Sequence, residues 1–231
     1  MHMRTPILAA VAGAALLAAA ALPAGAAPEP AAREHGRGAV TAAALLAELT
    51  GCAQVSKGRY RTDAGKRATV PVCARKGAVF WKADLDVDCD GQVTARCNRR
   101  SDPWFQAGTA FPQSDGRPLN SEKLSYVVVP SPGRLWRYAD SGVRGGSVAA
   151  VMYEGRLRYA VVGDTGPADL IGEASYATAR ALGIDPDPVK GGASSGVTYL
   201  VFTGSRVTPI ESRAAAQALG EESARRFLRG G

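Results

Sequence analysis

Alternation of apolar and polar side chains is clearest between Ala78 and Asp88. Val79, Trp81, Ala83, Leu85 and Val87 take one parity, and Phe80, Lys82, Asp84, Asp86 and Asp88 take the other. A period of two marks a half-buried strand. One face should enter a core, and the other should run from Phe80 and Lys82 into three carboxylates. Shorter apolar runs at Leu124–Pro130, Ser147–Tyr153, Leu157–Gly163 and Val197–Thr203 predict four further strands. Glu154-Gly155-Arg156 offers a hairpin turn between the middle two. Helical spacing occurs in three places. Thr41–Leu49 begins with a capping threonine, places Leu45, Leu46 and Leu49 on one face and stops at Gly51. Ile171–Leu182 carries Ala179, Ala181 and Leu182 near its end and stops at Gly183. Ser212–Leu228 follows Pro209 and Ile210, with a break or bend expected at Gly220.

The first 26 residues follow another pattern. Arg4 precedes an apolar run from Ile7 to Leu22, and Pro23 leads into Ala24-Gly25-Ala26. A positive start, a short apolar stretch and small residues at an A-x-A site predict a secretory signal peptide. The run is short for a membrane anchor and lacks a basic cluster behind it. Residues 27–39 contain few large apolar groups and read as a flexible tether. The rest, 40–231, is expected to form one domain, secreted and free of membrane.

Export bears on the four cysteines, Cys52, Cys73, Cys89 and Cys97. An even count in an oxidising compartment predicts two disulfides. Spacing does not fix the connectivity; Cys52–Cys73 with Cys89–Cys97 is the preferred pairing. A structural zinc site does not fit, because no C-x-x-C is present and the one histidine beyond the leader, His35, lies in the tether. The formal charge of +7 becomes +6 once the leader and its single charge, Arg4, are removed. The basic residues are scattered and not interleaved with stacking aromatics, so they predict a solvated surface and no nucleic-acid partner.

Two acidic segments remain. Asp164 sits where a strand runs into Gly163-Asp-Thr-Gly-Pro167, and Glu173 follows Ile171-Gly172 nine residues later. Two carboxyls flanking a cleft, one protonated and one charged, can hydrolyse a glycosidic bond. Spacing alone leaves another reading open, with Asp164 as a turn residue and Glu173 as a first-turn helix acid. The second segment, Asp84 to Gly91, contains Asp86-x-Asp88-x-Asp90-Gly91, the opening of an EF-hand loop. Its twelfth position is Cys97 where a glutamate is needed, so no metal is expected there. A solvated strand edge is the alternative.

The order strand, Gly-Asp-Thr-Gly-Pro, short helix, Gly-rich loop, strand resembles the central unit of double-psi β-barrels, found in expansin-like proteins and certain peptidoglycan lytic enzymes. That resemblance implies a mainly β fold with a few short helices and a six-stranded double-psi-like core. More specifically, Val79 to Gly91, Gly146-Ser-Val-Ala-Ala150, Tyr159 to Gly166 and Ile171-Gly-Glu-Ala-Ser175 together resemble the fungal-type chitosanases of glycoside hydrolase family 75, in an actinobacterial-like version. The family implies endo-hydrolysis of β-1,4-linked glucosamine in chitosan with inversion, and no cofactor. Its essential carboxylates correspond to Asp164 and Glu173, with Glu173 assigned as general acid and Asp164 as general base. Asp84, Asp86, Asp88 and Asp90, with Thr165, are then expected to bind the cationic polymer. Trp81 is expected in the core; Trp104, Phe105 and Tyr126 are candidates for sugar stacking or for core. Monomer is the default state. The rival readings are a non-catalytic expansin-like module, a calcium-dependent interaction domain on the Asp-rich loop, and a related hydrolase of chitin or peptidoglycan.

Overall fold

The computed structural model describes residues 39–230; the expected leader and all but the last residue of the tether lie outside them. Eight strands form one mixed sheet: β1 (Ala53–Gln54), β2 (Cys73–Arg75), β3 (Ala78–Asp88), β4 (Tyr126–Pro130), β5 (Val148–Tyr153), β6 (Arg156–Gly166), β7 (Glu173–Ser175) and β8 (Ala193–Phe202). Their order is β1-β2-β3-β7-β4-β6-β5-β8, and a further β3–β8 pairing closes the last six into a barrel. Two contacts in the ring are parallel, β3–β7 and β4–β6, and the others antiparallel. The mainly β, six-stranded barrel expected from the chain order is therefore present. Tyr153 pairs with Arg156, so the β5–β6 hairpin turns on Glu154 and Gly155. Both have positive φ, 45° and 76°, as a primed two-residue turn requires.

Closure gives every barrel strand an inside and an outside, and both are covered. The inner core takes Val79, Trp81, Leu85, Val127, Val162 and Val201, and helix α2 (Tyr176–Leu182) adds Ala179 and Leu182 to it. Trp81 stacks on Tyr199 with centroids 5.2 Å apart. An outer core takes Phe80, Tyr126, Val128, Tyr159, Val161 and Leu200 beneath helices α1 (Ala42–Glu48) and α3 (Arg213–Leu228). This corrects the half-buried reading of β3: Phe80 is buried, and only Lys82 and Asp86 along the strand are exposed. Alternation assigned the two faces correctly but not what covers the second one.

Two helix expectations also change. The stretch from Ile171 is not helical at its start: Glu173–Ser175 is β7, and Ser175 caps α2 by accepting from the Thr178 N–H. Strand pairing on both sides outweighs helix propensity over those three residues. Helix α3 runs unbroken through Gly220, which is buried against Tyr159; a Cβ there would meet the ring. The disulfides are Cys52–Cys73 and Cys89–Cys97. The first ties the chain entering β1 to β2. The second ties the end of β3 to the loop that follows.

Candidate active site

Asp164 owes its position to one extra residue. Along the β4–β6 pair, Tyr126 faces Val161 and Val127 faces Val162, but Val128 faces Asp164. Gly163 is the inserted residue of a β-bulge. Simple alternation after the inward-facing Val162 would turn Asp164 inward as well. The bulge instead places it on the outer face with Val128. No larger residue fits at 163, since a Cβ would stand 2.6 Å from both Leu119 Cδ1 and Tyr126 Cβ. The Ala110 and Thr165 backbone N–H groups each donate to Asp164 Oδ1 at 2.7 Å.

Glu173 reaches the same face from the other side of β4. Val128 pairs with Glu173 on β7, and Glu173 pairs with Asp86 on β3. Asp164, Val128, Glu173 and Asp86 thus form one row across four strands. With neighbouring strands about 4.8 Å apart, the backbones of Asp164 and Glu173 stand roughly 9–10 Å apart. The Glu173 side chain leans back over β4 toward the end of β6: a Cβ on Gly166 would lie 3.1 Å from Glu173 Oε2. The separation suited to an inverting glycosidase is about 6.5–9.5 Å.

Burial dominates the titration of these groups. It pushes Glu173 up to about 8, helped by the charges of Asp86, Asp90 and Asp164. Burial also raises Asp164, but the two backbone donors oppose it by favouring the charged form. Burial thus favours the protonated form of both, and only Asp164 has backbone donors that favour its anion.

The Asp-rich segment does not act as one unit. Asp86 gathers with Asp63 and Asp84, whereas Asp88 and Asp90 gather with Asp164; in each trio, one carboxylate oxygen per residue lies within 4.8 Å of the others. The EF-hand pattern is thereby split between two places. Asp86 is exposed and Asp90 half-buried, while Asp84 and Asp88 are buried, so the expected row of open carboxylates is not what β3 presents. Asp88 accepts from the Asp90 N–H at 2.6 Å, and burial beside Glu173 and Asp164 raises it well above the usual carboxylate range. Asp90 accepts from the Gln106 N–H at 2.6 Å and is pushed up to about 6, chiefly by burial. Asp84 is pushed up to about 7 by burial and by Asp86. Gly172, with φ +120°, accommodates it, because a Cβ there would collide with Asp84 Oδ1. The bare residue at 172 makes room for this buried carboxyl. Either trio is compact enough to surround a cation.

Thr165 is half-buried beside Asp164. Among the aromatic candidates, Trp104 is 76% exposed, whereas Phe105 and Tyr126 are buried. Tyr126 Oη donates to the Asp90 carbonyl at 3.0 Å and so supports the acidic loop from beneath. The sequence reading missed Asp63 and the loop amides of Gln106 and Ala110. Backbone donors carry no side-chain signature, and Asp63 lies far from the other acids in sequence. The 510 Å³ hollow beside α3 is elsewhere, lined by Lys76, Arg206, Arg226 and Phe227, and none of these acids reaches it.

A closed barrel with two carboxyls two strands apart on one face, one strongly favoured in its protonated form and the other supplied with backbone donors that favour its anion, has the arrangement that acid–base hydrolysis of a glycoside requires. Residues 85–229 match the family of fungal chitosanases of glycosyl hydrolase group 75, and the chain belongs to that family. It is 33% identical to endo-chitosanase C of Aspergillus oryzae over 137 residues, covering 57% of this chain and 33% of that protein. It is 31% identical to endo-chitosanase B of Aspergillus oryzae (strain ATCC 42149 / RIB 40) over 153 residues, 59% of this chain and 64% of that protein. With the endo-chitosanase of Aspergillus fumigatus it shares 30% over 142 residues, 55% of this chain and 59% of that protein. The chain thus spans between a third and just under two thirds of the length of these relatives.

Proposed function

We propose that the protein is a secreted endo-chitosanase that cleaves β-1,4 linkages between glucosamine units with inversion. The observation that carries this reading is the row Asp164–Val128–Glu173 on one barrel face of a chain belonging to this family. Glu173, protonated near neutrality, gives its proton to the departing glycosidic oxygen. Asp164, whose charged form the Ala110 and Thr165 amides favour, takes a proton from a water on the opposite face of the sugar. That water's oxygen bonds to the anomeric carbon as the old C–O bond breaks. Asp86 and Asp90 face the ammonium groups of the polymer, backed by the buried Asp84 and Asp88, and Thr165 lies against the sugar next to Asp164. The disulfides fit an oxidising, extracellular setting.

The test is release of reducing sugar from highly deacetylated chitosan, with product anomers followed by NMR. Wild type should yield the inverted anomer first. Asp164→Asn and Glu173→Gln should each lower kcat by about 10²–10⁴-fold while keeping the native circular dichroism spectrum. Near wild-type rates in either variant, or preference for fully acetylated polymer, would overturn the assignment.

A further inference from the structure

The loop from Ser56 to Val70 has no part in the proposed acid–base step, yet it is fastened beside it. Tyr60 bridges to Val70 and Arg61 to Leu170. The Arg61 N–H donates to the Asp169 carbonyl at 3.1 Å, the Ile171 N–H donates to the Arg61 carbonyl at 3.0 Å, and the Arg61 and Asp169 side chains form an ion pair. Asp63 is thereby held two residues beyond a point fixed to the segment that leads into Glu173.

There its carboxylate meets those of Asp84 and Asp86. None of the ion pairs among the described residues involves these three acids. Asp84 is only 4% exposed, one of its carboxylate oxygens lies in the trio, and its Oδ1, which fills the space a Cβ on Gly172 would take, has no hydrogen-bond partner among the described residues. A buried, unpartnered acceptor among like charges costs free energy unless a proton or a cation joins it. The open side of the trio, formed by exposed Asp63 and Asp86, faces solvent. Asp86 stands directly beside Glu173 in the ladder.

We propose that Asp63, Asp84 and Asp86 form a seat for the primary ammonium of a glucosamine unit adjoining the bond to be cut, so that this subsite takes deacetylated sugar and refuses the N-acetylated form. This rests on the reading of chitosan as substrate. An ammonium offers three N–H donors, one for each carboxylate. An acetamido group is neutral, offers a single N–H and adds an acyl group. The seat therefore discriminates by loss of charge pairing and by leaving the buried Asp84 unsatisfied.

Asp63→Asn is the informative variant: Asp63 is exposed, so the fold should tolerate the change, and it is not among the charges that raise Glu173. Calorimetric titration of glucosamine hexamer and its N-acetylated counterpart into Glu173→Gln, with and without Asp63→Asn, reads binding apart from cleavage. The glucosamine oligomer should bind about tenfold more weakly when Asp63 is changed, as expected for a partly exposed charge-assisted contact. In the active enzyme, Asp63→Asn should raise KM with kcat near wild type. On partly acetylated chitosan, mass spectrometry of the products should find N-acetylglucosamine beside the cut where wild type leaves glucosamine, and Asp63→Glu should restore the wild-type pattern. Unchanged binding and an unchanged product pattern would overturn the seat. Thermal stabilisation of wild type by millimolar calcium that Asp63→Asn loses would also overturn it, in favour of a metal site. Oligomer binding that depends on Asp63 without any cleavage would instead leave the seat standing and sink the hydrolase reading.

Discussion

Glu173 keeps a proton to about pH 8 because burial and the negative charges of Asp86, Asp90 and Asp164 all oppose its ionisation. As general acid it works in the protonated form, so kcat/KM should fall as pH rises through that value. Asp86 exerts the strongest of these charge effects and is the ladder partner of Glu173. Asp86→Asn should therefore move the alkaline limb of the kcat/KM profile to lower pH, and Asp63→Asn should leave the limb in place. Profiles that coincide for wild type and Asp86→Asn would show that the limb belongs to another group. The two acids at positions 164 and 173 could be singled out in the sequence from their motif blocks. Their unequal environments could not, since these come from the amides of Ala110 and Thr165 and from the acids around Glu173. The trio around Asp84 was hidden for a similar reason: its third member arrives on a loop, fastened through Arg61 backbone contacts that no side-chain pattern encodes.

At the scale of elements, short segments were the hardest to read. β7 has three residues and lies next to a well-capped helix, so its sequence continues the helical pattern that α2 completes. Two ladders decide the matter, one to Asp86–Asp88 and one to Val127 and Val128. The longer β3, by contrast, was placed within its full range by alternation alone. Helix α3 shows how a weak helix former can be required by packing. Gly220 costs the helix up to about 1 kcal/mol relative to alanine, but it lets the backbone lie on the ring of Tyr159. Gly220→Ala should destabilise the protein by about 1–3 kcal/mol through overpacking, despite its better helix propensity. Urea unfolding measures this. A gain in stability would mean that α3 can lift away from β6 at little cost.

For the molecule as a whole, the acids create an unusual dependence of stability on pH. In an unfolded chain aspartate and glutamate titrate near 4. Folded, Asp90 keeps its proton to about 6, Asp84 to about 7 and Glu173 to about 8. The folded state binds more protons between those limits, so this contribution is fully present below the unfolded values and is lost as pH rises through the folded ones. Calorimetry should find Tm higher at pH 5 than at pH 9. The reverse order would mean that these carboxyls are ionised in the fold. The disulfides divide in function. Removing Cys52–Cys73, with its separation of 21 residues, should cost about 3 kcal/mol and spare kcat, as that bridge lies on the β1–β2 flank. Removing Cys89–Cys97 should cost somewhat less stability but lower kcat/KM, because it holds the chain on either side of Asp90. Denaturant curves together with kinetics on both double variants separate the two effects.

The inserted Gly163 has a consequence for how this barrel tolerates change in chain length. Deleting that single residue would leave Asp164 directly after Val162, so the carboxylate would still face out beside Val128. What would send it into the apolar lumen is loss of the bulge at unchanged length, with Gly163 drawn into regular pairing opposite Val128 and Asp164 moved on to Val129. Loops around the barrel can lengthen or shorten without altering which side chain points where. This strand can lose the extra residue on the same terms, but it cannot keep that residue and lose the bulge, since the bulge decides which side chain faces out.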